Sequence, residues 1–131
     1  MASVQGTFTV ASWDENTYAE LGGGAKLTRA TVTFDFTGGV QAKGTWDAVM
    51  CYNDDGAAVF TGMQRMTGEV DGRSGNFVLR ADGTFAGGEA RSEWEVVAGS
   101  ATGELAGLRG TGSAVATSEP PGTFSFDYEL G

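Results

Sequence analysis

Most of the chain alternates between apolar and polar residues, which is the pattern of a β-strand with one buried face. The alternation is clearest from position 30 to position 36, where four apolar residues are separated by Thr31, Thr33 and Asp35. Eight such segments can be traced, and no stretch between them has the period of an amphipathic helix. The pattern therefore predicts an all-β fold.

Glycine-containing turns separate the predicted strands. Gly38-Gly39 and Asn53-Asp54-Asp55-Gly56 predict tight hairpins, because glycine and Asp-Gly readily adopt positive φ angles. The polar segment Asp14–Ala25 interrupts the alternation and contains three consecutive glycines, so it is predicted to be a connection. Further turns are predicted at Asp71–Gly75, Asp82-Gly83 and Gly87-Gly88. The strands are predicted at Val4–Trp13, Val40–Tyr52, Glu89–Val97, Thr111–Thr117 and Gly122–Leu130, with three more opening near Lys26, Ala58 and Phe77.

The stretch from Val96 to Gly112 is rich in glycine and would make a weak strand, so it predicts a sharp reversal of the chain. Leu105 and Leu108 are its large apolar residues after Val97, and we expect both to turn inward and close one end of a barrel. A phosphate-binding loop is the alternative interpretation. It is disfavoured because no helical pattern follows Gly112.

Hairpin-linked alternating strands are typical of an antiparallel up-and-down barrel, although a β-sandwich fits the periodicity too. A chain of 131 residues is long enough for one domain with a real core, and one barrel domain over residues 1–131 is expected.

The pattern Gly-Ser-x-Thr-Gly-x-Leu-x-Gly-Leu-x-Gly, over positions 99–110, resembles the signature of the family named domain of unknown function 3224. Four further pieces match it in family order. They are Ser12–Glu15, Leu27–Ala30, Tyr52–Gly56 and Asp71–Leu79. The family resembles the allene oxide cyclase and dirigent barrels, and this resemblance implies an eight-stranded antiparallel up-and-down β-barrel. It also implies a homo-oligomer, dimeric or trimeric.

Eight basic against seventeen acidic residues give a net charge of −9. A chain this acidic is repelled by phosphate groups, which disfavours nucleic acids and anionic membrane surfaces as partners. The amino terminus lacks the basic start and apolar core of a signal peptide, and no apolar run could span a membrane. A cytoplasmic location is therefore expected.

Histidine is absent and Cys51 is the single cysteine. No internal disulfide can form, and neither a histidine–cysteine zinc site nor a histidine-based nucleophilic triad is possible. The chain also lacks the glycine motifs of dinucleotide and P-loop binding sites. No metal and no cofactor is expected, and most acidic residues fall at turns or on outward positions.

An eight-stranded barrel is just wide enough to be filled by side chains or to hold one small ligand, and the sequence leaves both possibilities open. The predicted inward face mixes large aromatic residues with many small ones. Gln64 stands out there, because a buried amide requires partners: other core groups, water or a ligand. We predict ligand contacts from Trp46, Tyr52, Phe60, Gln64, Met66, Trp94 and Tyr128, with Arg29 at the barrel mouth as an anchor or a salt-bridge partner.

Two functions follow as hypotheses. The first is a small-molecule barrel that binds an apolar or polyene-like metabolite and cyclises or isomerises it without a cofactor, by holding it in one conformation. Members of the family that it resembles usually carry Glu at the position of Gln64 and often Gln-His at the positions of Arg80-Ala81, so this chain lacks both titratable groups. The second is a non-catalytic carrier, or a structural oligomer that associates through outward apolar residues such as Val49, Val59 and Met63.

Overall fold

A computed structural model describes residues 1–130, and these residues form one antiparallel sheet that closes into a barrel. Each strand pairs with the next along the chain, and β8 returns to pair with β1. The predicted eight-stranded up-and-down barrel is thereby confirmed. The strands are β1 Ala2–Gly22, β2 Ala25–Gly38, β3 Val40–Tyr52, β4 Ala58–Val70, β5 Arg73–Ala86, β6 Glu89–Val96, β7 Leu108–Ala116 and β8 Gly122–Leu130.

Alternate residues of most strands point into the barrel, as the period-two pattern predicts. In β2, Ala30, Val32 and Phe36 are buried, while Thr31 and Asp35 between them are exposed. The same alternation runs without interruption through β8. The sequence therefore predicts correctly which residues of these strands face the interior of the barrel.

The prediction of a connection over Asp14–Ala25 was wrong, because β1 continues to Gly22 and only Gly23 and Gly24 form the turn. The pairing of β1 with β2 shifts by one residue between Val10 and Ser12, which marks a β-bulge. From this bulge to a second shift after Thr17, odd-numbered rather than even-numbered residues of β1 pair with the inward-facing residues of β2. The inward positions of β1 are therefore displaced by one residue over this segment.

The prediction of a turn at Asp82-Gly83 was also wrong, because both residues lie within β5. Gly83 pairs with Ser92 of β6, and a Cβ atom at Gly83 would collide with the carbonyl oxygen of Arg91. Glycine is needed here because the β6 backbone approaches closely, and the chain does not reverse.

One end of the barrel is sealed by the connection between β6 and β7, which contains a short 3₁₀ turn at Gly103–Leu105. Leu105 and Leu108 are buried in the core cluster, as predicted. The carboxylate of Glu104 accepts hydrogen bonds from the backbone N–H and the hydroxyl of Ser74, which ties this connection to β5. We call this the plugged end.

The opposite end carries the turns β1–β2, β3–β4, β5–β6 and β7–β8, and we call it the mouth. Phe36, Trp94 and Phe124 pack edge to face or stacked across the barrel between the two ends. Further core residues, including Phe77, Leu105 and Phe126, fill the plugged half below this aromatic layer, whereas the half above it holds a cavity. No helix among residues 1–130 has the length and apolar character needed to cross a membrane.

Candidate ligand-binding cavity

The mouth half of the barrel encloses a cavity of about 290 Å³. It descends from a partly exposed rim, formed by Val10, Trp13 and Phe85, to a buried floor around Trp46 and Gln64. The remaining lining residues are Phe8, Phe34, Met50, Tyr52, Phe60, Ala81, Ala90, Ser92, Ala114 and Ala116. The surface is thus largely apolar, which is typical of a site for a small organic molecule.

The cavity exists because, apart from Phe85 at the rim, one side of the barrel contributes only small side chains. Ala81 on β5, Ala90 and Ser92 on β6, and Ala114 and Ala116 on β7 face large residues on β1 to β4. Small residues opposite large ones fill the interior only partly at this height. The sequence left open whether the interior is filled or hollow. In the structure the plugged half is filled by side chains, and the mouth half is hollow.

Trp46 and Phe60 form the aromatic wall of the cavity. Their ring centroids are 5.1 Å apart at an interplanar angle of 83°, an edge-to-face contact. The indole Nε1–H of Trp46 donates a hydrogen bond to the carbonyl oxygen of Ala81 at 3.2 Å, which fixes the ring across the barrel. The wall is accordingly held in place without any ligand.

Gln64 is the buried polar side chain of the floor, with 3% of its surface exposed. Its Nε2 lies 3.2 Å from Sδ of Met66, to which it donates a hydrogen bond, and a thioether is a weak acceptor. No fully enclosed side-chain nitrogen or oxygen within residues 1–130 lacks a partner. Since Oε1 has no partner in the protein, it must border the cavity. The amide therefore keeps capacity to bond a ligand.

A polar cluster braces the rim around Glu15. Oε2 of Glu15 accepts hydrogen bonds from the hydroxyls of Thr28 and Tyr52, each at 2.6 Å, and Oε1 accepts one from Nε1 of Trp13 at 2.9 Å. The ammonium of Lys26 lies 5.0 Å from the centroid of the Tyr52 ring. This cluster joins β1, β2 and β3 and orients two cavity-lining side chains.

The cluster keeps Glu15 ionised and Tyr52 neutral. Burial raises the pKa of Glu15, but the hydrogen bonds from Thr28, Tyr52 and Trp13 together lower it more, so the pKa lies below its usual 4.5. Burial, followed by the hydrogen bond to Glu15 and its charge, raises the pKa of Tyr52 well above 10.0. The Tyr52 hydroxyl is thus a fixed donor to Glu15 at neutral pH.

The structure places four of the predicted site residues in the cavity wall: Trp46, Tyr52, Phe60 and Gln64. Met66 and Trp94 are buried but lie outside the lining, Met66 under the Gln64 amide and Trp94 in the aromatic layer.

The last two predicted site residues, Tyr128 and Arg29, lie away from the cavity. Tyr128 faces the plugged end, where its hydroxyl donates to Asp71 at 2.8 Å. Arg29 is exposed on the outer wall, with its guanidinium 4.1 Å from the centroid of the Tyr18 ring. The structure therefore does not bring either residue to the cavity.

Sequence reasoning missed Trp13, Glu15 and Ser92. The first two were assigned to a connection or its border, because the bulge after Val10 shifts the inward parity by one residue. Trp13 could have been found as a large aromatic residue beside a polar segment, whereas Glu15, between Asp14 and Asn16, carries no such signal. Ser92 was assigned inward but was not singled out, although its hydroxyl offers a hydrogen-bonding group in an otherwise apolar lining.

Within the described residues, no three side chains of His, Cys, Asp or Glu come together as a metal site would require. The cavity lining offers an amide, a serine hydroxyl and a phenol as polar groups. Chemically, this arrangement can enclose an apolar molecule and hydrogen-bond one polar group on it.

The sequence profile of the family described as "Protein of unknown function (DUF3224)" matches residues 4–128. Among solved structures, the chain is similar to a protein of unknown function from the DUF3224 family of Shewanella oneidensis MR-1, determined at 1.84 Å resolution. The two are 29% identical with a TM-score of 0.85, and the match covers 100% of this chain and 98% of the other. A search of curated protein sequences found no match.

Proposed function

We propose that this chain, which belongs to the DUF3224 family of proteins of unknown function, binds a small and mainly apolar molecule in the mouth half of its barrel. The observation that carries the proposal is the 290 Å³ cavity, walled by Trp46 and Phe60. Apolar side chains around an empty space lack packing partners on one side. A bound molecule would supply those contacts.

Carrier and catalyst are two forms of this proposal. The catalytic form is a cofactor-independent cyclisation or isomerisation of an apolar or polyene-like substrate, achieved by holding it in a reactive conformation. The support for the catalytic form is the resemblance of the family to the allene oxide cyclase and dirigent barrels. That superfamily relationship is itself part of the proposal. Tyr52 is the ionisable side chain of the described lining, and its pKa is raised, which favours a role for shape over proton transfer.

A structural oligomer is the second candidate. Val49, Val59 and Met63 are 42%, 58% and 49% exposed, and they lie close together on the outer wall of β3 and β4. Such exposed apolar groups favour self-association as a dimer or trimer. Sedimentation velocity tests self-association. If the wild type is an oligomer, the double variant with Val59→Lys and Met63→Lys should be a monomer, and a monomeric wild type would refute the oligomer proposal.

A cytoplasmic location also stays a prediction.

Tryptophan fluorescence tests ligand binding directly, because Trp13 and Trp46 both line the cavity. A panel of neutral apolar molecules is titrated into the wild type and into Ala114→Phe, which places a ring inside the cavity. Val115→Phe is the matched control. It is the next residue of β7, and it pairs with the exposed residues Arg91 and Thr123 on the outer face.

The proposal predicts saturable changes in fluorescence for the wild type and Val115→Phe, and their loss in Ala114→Phe. Thermal unfolding confirms that each variant is folded. Equal responses in Ala114→Phe and the wild type would place the binding elsewhere. No response of the wild type across the panel would refute the proposal and favour the structural alternative.

A further inference from the structure

We infer that the ligand is an uncharged molecule, about the size of two fused six-membered rings, with a single carbonyl or hydroxyl group that hydrogen-bonds Gln64 at the cavity floor. This inference rests on the proposed function and specifies its ligand class. Three observations carry it: the volume of the cavity, the absence of charge from its described lining, and the state of the Gln64 amide.

The volume limits the size of the ligand. An apolar protein cavity of about 150 Å³ holds one benzene molecule. The cavity here, at about 290 Å³, has nearly twice that volume and so accommodates a bicyclic molecule. A longer ligand, such as an extended polyene, would have to protrude past the rim at Trp13 and Phe85.

The electrostatics of the cavity favour an uncharged ligand. Among the described lining residues, none is acidic or basic. A carboxylate or ammonium group on the ligand would be removed from water without a countercharge, which is strongly unfavourable. The Glu15 carboxylate and the Lys26 ammonium lie together at Tyr52 and offset each other, so neither offers a free countercharge. The net charge of −9 on the protein further disfavours anions.

The Gln64 amide favours one polar group on that ligand. A primary amide can donate two hydrogen bonds and accept two, whereas Gln64 makes one, to the weak acceptor Met66 Sδ. A ligand hydroxyl can donate to Oε1, and a ligand carbonyl can accept from the second hydrogen of Nε2. Either hydrogen bond would form in apolar surroundings, where hydrogen bonds are stronger than in water. A ligand that lacks the polar group should therefore bind more weakly.

The positions of the polar groups also set the orientation of the ligand. Gln64 is buried at the floor, while the rim residues Val10, Trp13 and Phe85 are apolar and partly exposed. The other polar groups of the lining are the hydroxyls of Tyr52 and Ser92: that of Tyr52 already donates to Glu15, and Ser92 is only half-buried, whereas Gln64 is fully buried. The polar end of the ligand therefore points down to Gln64, and the hydrocarbon end points to solvent.

Matched bicyclic probes test the inference: the hydrocarbon tetralin, the ketone tetralone, the alcohol tetralol and the anion tetralin carboxylate. Each is titrated into the ¹⁵N-labelled protein, and two-dimensional NMR gives both the Kd and the site. The indole N–H signals of Trp13 and Trp46 report on the cavity, and that of Trp94 on the layer below it. Gln64→Leu removes the amide at similar volume, and Gln64→Met is a second variant in case the first does not fold.

The inference predicts that tetralone and tetralol bind the wild type about tenfold more tightly than tetralin, the scale of one buried hydrogen bond. This preference should vanish in either Gln64 variant, while tetralin retains its affinity. Equal affinity for tetralin and the oxygenated probes, or tightest binding of the carboxylate, would overturn the inference and leave the proposed function standing. Failure of all four probes to shift the Trp46 signal would overturn both.

Discussion

The hydroxyl of Tyr52 donates a hydrogen bond to Oε2 of Glu15 at 2.6 Å, linking β3 to β1 across the intervening strand at the mouth of the barrel. The same carboxylate holds the hydroxyl of Thr28 and the indole N–H of Trp13. One acidic side chain thus organises the rim of the cavity. It does so from a segment whose polar sequence is typical of a loop.

The first prediction concerns the stability of the barrel as a function of pH. Because the pKa of Glu15 is lower in the folded protein than in the unfolded chain, its ionised form stabilises the fold above the unfolded value of 4.5. That contribution is lost as the pH falls through the lower, folded pKa. Glu15→Gln should therefore reduce the free energy of unfolding by about 1 kcal/mol at pH 7, with a smaller difference at pH 3.

Denaturant unfolding at several pH values measures this difference. Glu93→Gln is the control, because Glu93 is exposed and lies outside the rim cluster. A Glu15→Gln effect that did not shrink at low pH would show that ionisation of Glu15 does not stabilise the fold.

The second prediction separates the hydroxyl of Tyr52 from its ring. Tyr52→Phe keeps the ring in the cavity wall but removes the donor to Glu15, so the free energy of unfolding should fall by about 1 kcal/mol. Affinity for a neutral ligand should change less than twofold, because that hydroxyl is already bonded to Glu15. Calorimetric binding and denaturant unfolding on the same variant check both parts. A large loss of affinity would mean that Tyr52 bonds the ligand directly.

The third prediction concerns the space beside Gln64. A Cβ atom at Gly44 would lie 2.9 Å from Sδ of Met66 and 3.2 Å from Nε2 of Gln64. Gly44→Ala should therefore displace the floor of the cavity and cost about 1–3 kcal/mol of stability, the usual effect of overpacking. Thr45→Ala, on the adjacent position of the opposite face, should be nearly neutral. Thermal unfolding checks both, and equal melting temperatures for wild type and Gly44→Ala would contradict the packing described here.

The fourth prediction concerns the plugged end. Leu105 is completely buried although it lies in a connection, so Leu105→Ala should cost about 2–5 kcal/mol. Leu21→Ala removes the same atoms from a side chain that is 55% exposed and should cost far less. If denaturant unfolding gave equal losses for the two variants, Leu105 would not be part of the core.

Much of the fold could be predicted because β2, β3, β4 and β8 alternate over most of their length and the turns after β2 and β3 are recognisable. Two strands could not be bounded correctly. At Ala11 a bulge displaces the alternation, and periodicity alone does not reveal that the strand continues. Gly83 is a glycine because the backbone of β6 packs closely against it. In the sequence, a glycine of this kind cannot be told from a glycine that forms a turn.

The candidate site was predictable in part, for a related reason. Inward parity identified Gln64, Trp46 and Phe60, but parity does not specify height along the barrel axis. Tyr128 and Trp94 have the predicted orientation and lie at other levels. Glu15 joins the site through hydrogen bonds to residues distant in sequence, which only the closed barrel brings together.

Small-molecule binding by this barrel is tested most directly by a crystal structure of the protein grown with a saturating concentration of tetralone. Electron density for the molecule is expected between Trp46 and Phe60, with its carbonyl oxygen within hydrogen-bond distance of Gln64. A mouth half filled by protein side chains, with no ligand density in it, would show that the barrel does not bind small molecules there.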